Sequence, residues 1–186
     1  GNITLGALTG GGALSVTDGA AQVYAVLTVT ALTISDATTS VTFGGAITAT
    51  SAMDIDSGGT IALNAAVTAS TTVNIDASGL TTVAAAGDIT ASGAVAFGAA
   101  KTGLLTTSGN ITTTNDNITF TRAVTLGGAV VLDTGANAGN ILFSSTIASA
   151  TNALTLDAGT VGNITLGALT GGGALSVTDG AAQVYA

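Results

Sequence analysis

The chain has 186 residues, of which 27 are glycine, six are aromatic, 6% are charged and 47% are apolar, and its formal net charge is −8. That is too apolar and too weakly charged for a disordered chain, too poor in aromatics for an ordinary globular core, and no apolar run approaches the eighteen or more residues of a bilayer span. Two cations in an acidic chain exclude a nucleic-acid partner, and the absence of His, Cys, Glu and Trp leaves aspartate as the only acid or metal ligand with a charge.

In chain order, the first segment is also the most informative. Gly1 to Ala25, GNITLGALTGGGALSVTDGAAQVYA, recurs letter for letter as Gly162 to Ala186. The chain therefore reads as one tandem repeat, 1–161, and the start of the next, 162–186, in a continuous body with no separate domains. Because it opens on Gly1, any leader, anchor or binding head is expected outside it.

A shorter period runs inside the repeat. Ile3, Val23, Val41, Ile61, Ile118, Ile141 and Ile164 each open a row, 18 to 23 residues apart where the register is clear. Within rows an apolar residue recurs two places on, as at Phe43, Leu63, Phe120 and Phe143, often across a Thr such as Thr4, Thr42 or Thr119, which is the alternation of a strand with one buried face. A second apolar position follows at Leu8, Val29, Ile47, Val67, Val124 and Ile147. A third closes the row as Leu14 with Val16, Met53 with Ile55, Val73 with Ile75, Val130 with Leu132 and Leu154 with Leu156. Residues 100–117 carry no clear row boundary.

Three short strands per row of about 20 residues, separated by Gly, Ala, Ser and Thr corners, predict an all-β parallel β-helix, a β-solenoid in which each coil bonds to the coils above and below. A sandwich of hairpins should carry Asn-Gly or Asp-Gly turns throughout, and only Asp18-Gly19 and Asp179-Gly180 are present. Sixfold spacing in rows such as VTFGGA, ITATSA, MDIDSG suits left-handed solenoids, but the variable row length favours the right-handed form. Eight rows in 161 residues should advance about 38 Å, at about 4.8 Å per row.

Stacking turns equivalent positions into columns. Asp18, Asp36, Asp56, Asp76, Asp133, Asp157 and Asp179 each close a third strand, with Gly98 filling the slot between. They are candidates for calcium, the one cofactor the sequence suggests, although Asp also closes turns by accepting from a nearby backbone N–H. Asn2, Asn110, Asn117, Asn140 and Asn163 precede strands and read as a structural ladder at left-handed corners. Four of them match the glycosylation sequon, which is too short a motif to mark a site. Outward threonines at Thr9, Thr30, Thr48, Thr68, Thr90, Thr125 and Thr170, interrupted by Ala148, are ordinary strand chemistry; an ice-binding face would need a second column, and only Thr50, Ser70 and Ser92 suggest one. Tyr24, Val131 and Leu142 are expected to point outward. Lys101 and Arg122 could face each other or pair with Asp116 as a surface ion pair, which is too little for a lyase-like catalytic groove.

Rows such as ITFTRAVTLGGAVVLDTGANAGNILFSSTI and ALTLDAGTVGNITLGAL, with Ile-Thr-Phe openings and Leu-Asp-x-Gly closings, resemble the β-strand repeats of giant bacterial surface proteins related to filamentous haemagglutinin. The resemblance implies a secreted, right-handed β-helical shaft used in adhesion, cell contact or surface fibres. The expectation is therefore a non-enzymatic structural segment of an extracellular filament or adhesin, whose partners are further copies of its own repeat along the axis and, laterally, other fibres. The alternative class is a solenoid that binds calcium, carbohydrate or ice.

Overall fold

The computed structural model describes residues 1–98, 100–101 and 103–186; Thr102, within the stretch 100–117, lies outside the described residues. Among the described residues there are 26 strands and no helix, and every pairing is parallel. The short strands are rich in Ile, Val, Leu and Thr with alternating burial, which suits a pleated surface with one wet face.

The chain winds as a three-sided β-solenoid of nine coils among the described residues. The second face is a nine-stranded sheet running from Leu8–Thr9 through Leu27–Val29, Ile47–Ala49, Val67–Ala69, Ile89–Ala91, Ile111–Thr113, Val130–Asp133 and Leu154–Asp157 to Leu175–Asp179. The first face begins at Ile3–Leu5, passes Thr60–Leu63, Thr81–Val83, Leu105–Thr107 and Val124–Leu126, and ends at Leu169–Gly171. The third face runs from Leu14–Val16 through Met53–Ser57, Val73–Ala77, Val95–Phe97, Ile118–Phe120 and Ile141–Phe143 to Asn163–Leu166 and Ala182–Tyr185. One strand, Leu32–Phe43, turns the corner between the third and first faces and joins them into a 17-stranded sheet.

Registers are strict along most of each face. Val67 lies opposite Ile47 on one side and Ile89 on the other, so the same alternation repeats from coil to coil. Corners are bonded between coils as well: Gly44 N–H donates to the Tyr24 carbonyl at 2.9 Å and Ser70 N–H to the Ala49 carbonyl at 3.0 Å, which leaves few corner amides unpaired. The inward positions of all three faces make one core from Tyr24 to Leu166. Within it Tyr24 stacks on Phe43 with centroids 5.3 Å apart, and Phe97, Phe120 and Phe143 stack in file at 5.4 and 4.4 Å.

Three expectations change. Tyr24 points inward, not outward: Ile3 lies opposite Gln22 rather than Val23, so Gln22 and Tyr24 are buried while Val23 is 43% exposed. A one-residue shift of register exchanges the two faces of a strand, and Val23 is the more apolar neighbour that misleads. Val131 and Leu142 do point outward, at paired positions opposite Thr155 and Thr119.

Second, the row openings do not share one face. Ile3, Val41 and Ile61 lie on the first face, whereas Ile118, Ile141 and Ile164 lie on the third, opposite Val95 and one another. The frame slips by one face between Thr81 and Asn117, where among the described residues five strands stand in place of two complete rows of three. Third, the repeat is not a whole number of coils. Asn163–Leu166, the copy of the strand at Ile3–Leu5, comes twenty-three faces after it, so 161 residues wind seven and two-thirds coils.

Candidate functional site

The same slip divides the aspartate column. Asp18, Asp36, Asp56 and Asp76 line the corner between the third and first faces, where Gly98, Thr121 and Ser144 follow them. Asp133, Asp157 and Asp179 line the corner between the second and third faces, with Asp133 opposite Asp157 and Asp157 opposite Asp179. The seven calcium candidates are two separate groups.

In the first group two of the four acids, Asp56 and Asp76, are met by the two cations of the chain. Lys101 Nζ pairs with Asp56 Oδ1. Arg122, 3% exposed, extends back over Gly98 so that its Nη2 lies 3.3 Å from Asp76 Oδ1 and also donates to the carbonyls of Ile75 and Lys101, while Nη1 donates to Thr81 Oγ1 at 3.1 Å. Asp76 accepts from the Ala100 N–H as well, at 3.3 Å. Burial pushes the Arg122 guanidinium down from its ordinary value and Asp76 pushes it back up. Neither cation pairs with Asp116, and the arginine pair is buried rather than on the surface.

Gly98 makes this reach possible. Its φ is +83° and a Cβ there would meet the Arg122 Nε, so both the backbone and the space call for glycine.

In the second group each carboxylate closes its own turn. Asp133 Oδ1 accepts from Gly135 N–H at 2.7 Å, Asp157 Oδ1 from Gly159 at 3.0 Å and Asp179 Oδ1 from Gly180 at 2.9 Å. Among the described residues no three acidic groups converge on a point where a metal could sit. Asp133 and Asp157 each accept from the amide two residues on, the geometry of an Asx turn, whereas Asp179 accepts from the next amide, that of Gly180.

The asparagines form a ladder where the corner is unbroken. Asn117 Oδ1 accepts from the Asn140 N–H and Asn140 Oδ1 from the Asn163 N–H, each at 2.8 Å. Asn2 bonds instead to Ala21 and Asn110 to Val131 and Asp88, because they precede other faces. Among the described residues the non-glycine left-handed positions fall elsewhere, at Asp36, Asn115 and Ala150.

The threonine column also takes a different course. On the second face Thr9, Thr28, Thr48, Thr68, Thr90 and Thr112 are consecutive rungs, whereas Thr125 and Thr170 belong to the first face, on either side of Ala148. Thr30 stands two places beyond Thr28 and starts the parallel column continued by Thr50, Ser70 and Ser92. Thr28 and Thr112 were legible in the alternation of Leu27 and Val29, and of Ile111 and Thr113, around them. An open apolar groove between Thr4–Gly6, Val23–Val26 and Gly44–Gly45 lies at the corner of the first and second faces.

Among the described residues no helix is long and apolar enough to cross a membrane. Comparison with family models, with curated proteins and with solved structures gave no match for the chain.

Proposed function

We propose that this chain is a structural segment of an extracellular bacterial filament or giant adhesin, a rigid shaft of stacked coils resembling those of filamentous haemagglutinin-like surface proteins. One observation carries the reading. The duplicated 25-residue segment has its following coil in Leu27–Phe43 in one copy and its preceding coil in Ile141–Asp157 in the other, so every edge of the duplicated unit has a partner within the chain. A lone coil cannot cover its two edges, and a stack covers all but the two at its ends.

A non-catalytic role is supported by the disposition of the charges. Both cations are engaged by aspartates, three further aspartates accept from neighbouring glycine amides, and among the described residues no three acidic groups converge. Immunogold labelling of intact producing cells tests the surface role: antibody against the 25-residue segment should decorate extended surface fibres, and labelling confined to permeabilised cells would overturn it.

A second reading, an ice-binding face, is supported by a hydroxyl column on the second face and another at its following corner. Thr28, Thr48, Thr68 and Thr90 on the strands, with Thr30, Thr50, Ser70 and Ser92 at the bends that follow them, make two uncharged hydroxyl columns with rungs about 4.8 Å apart. Thermal hysteresis abolished by Thr48→Lys and Thr68→Lys would carry that reading, and no hysteresis in the unaltered chain would end it.

A further inference from the structure

Identical sequence occupies two different faces of this solenoid. In both copies the segment folds on itself in one register, Ile3 opposite Gln22 and Thr4 opposite Val23, as Ile164 is opposite Gln183 and Thr165 opposite Val184. Yet Ile3 starts the first face and Ile164 continues the third, beyond Ile141. The first face ends instead on Leu169–Gly171, the copy of Leu8 to Gly10.

We propose that the rim of the first coil, at Ile3–Leu5, Leu8–Thr9 and Leu14–Val16, is the seat of a preceding copy of the same repeat, and that successive repeats are related by a screw that displaces each by one face. This rests on the shaft reading and supplies its partner and geometry. The preceding Ile141–Phe143, Ile147–Ala150 and Leu154–Asp157 cover the rim in the registers they already make with residues 164–179. Leu5, Leu8, Leu14 and Val16 are half-buried against the core on one side only, which is the state such a cover completes.

The one-face step also mends the columns that break within a repeat. Asp133 and Asp157 lead to Asp179, the copy of Asp18, after which come the equivalents of Asp36, Asp56 and Asp76: the two acidic groups become one ladder across the junction. Asn117 and Asn140 lead in the same way to Asn163, the copy of Asn2. Phe97, Phe120 and Phe143 lead to Leu166 and then to Tyr185, the copy of the Tyr24 that stacks on Phe43. With an unrotated repeat, each of these files would end on an unlike neighbour.

A repeat of seven and two-thirds coils advances about 37 Å, and the same residue returns to the same face after three repeats, about 110 Å. The threonine ribbon and the charged corner therefore wind around the shaft. A flat surface laid along one side meets the same ribbon only at every third repeat, whereas neighbouring shafts on three sides each meet it.

The junction can be tested in the chain as it stands, which has no cysteine of its own. Neighbouring outward positions on adjacent parallel strands are within disulfide reach. The pair Leu142→Cys and Thr165→Cys should oxidise to a crosslink as readily as the control pair Thr48→Cys and Thr68→Cys, while Ala148→Cys with Thr165→Cys should not. In a chain lengthened by one preceding repeat, cysteine at Leu142 of the added repeat should likewise crosslink to cysteine at Thr4. Failure of the control pair would overturn the shaft itself. A control that forms while Ala148 rather than Leu142 joins Thr165 would overturn the screw alone, and a lengthened chain that does not crosslink at Thr4 would overturn the seat.

Discussion

Arg122 and Asp76 lie 46 residues apart in sequence and 3.3 Å apart in space, Nη2 to Oδ1, with the Gly98 corner between them left clear of side chain. The arginine spans two coils and meets the last aspartate of its corner. A buried pair of this kind is costly to break from one side, because the remaining charge has no water. Arg122→Met or Asp76→Asn alone should lower stability by about 3–5 kcal/mol. The double variant should recover most of that loss, as read from urea melts of all four proteins; additive losses would contradict the pairing.

Gly98→Ala strikes the same assembly without touching charge. A methyl group would meet the Arg122 guanidinium at a backbone φ of +83°, so the variant should lose about 1–3 kcal/mol. In the Arg122→Met background the steric part of this loss should shrink, whereas an unchanged loss would assign it to the backbone alone.

The Tyr24 hydroxyl donates to Gln22 Oε1 at 2.6 Å inside the core, and burial pushes its pKa up to about 12. An acid whose pKa is raised on folding is stabilised in its neutral form. Its contribution is therefore present below the unfolded value near 10 and is lost as pH climbs from there towards 12. In the Tyr185→Phe variant, absorbance titration should show the remaining tyrosine ionising near 12 together with loss of structure. Ionisation near 10 with the fold intact would place Tyr24 on the surface.

Position along the stack should govern the effect of aromatic truncation. Phe120 is held between Phe97 and Phe143, and Phe120→Ala should cost about 3–5 kcal/mol. Tyr185, 51% exposed on the last strand, should tolerate Tyr185→Ala within about 0.5 kcal/mol. Equal effects would contradict the stack.

Calcium should not stabilise the chain. Asp56 and Asp76 are met by Lys101 and Arg122, and Asp133, Asp157 and Asp179 by their own turn amides. Thermal melts with and without millimolar calcium should coincide; a rise in Tm that saturates with calcium would carry the calcium reading instead.

The solenoid was legible because its signal is local: Ile-Thr-Phe and Val-Thr-Leu alternate at a period of two, and corners of Gly, Ala and Ser recur at the coil spacing. Which face a strand occupies is not local. It is the running count of every corner before it, so Ile164 reads like Ile3 although they stand on different faces. Among the described residues only five strands lie between Thr81 and Asn117, one short of two rows, and this shifts all later columns together, which is why seven aspartates look continuous in sequence and are divided in space. Tyr24 was misread for a smaller reason, since the polar Gln22 is the inward residue and only its bond to the tyrosine hydroxyl shows why. The reach of Arg122 across two coils leaves no sequence signal beyond Gly98, a glycine among many.

The most direct test of a chain that winds coil on coil is its length. Small-angle scattering from arrays of one, two and three repeats should show an unchanged cross-section and a long axis that grows by about 37 Å per repeat. A particle that thickens as it grows, with a radius following the compact-globule scaling of chain length, would contradict the account.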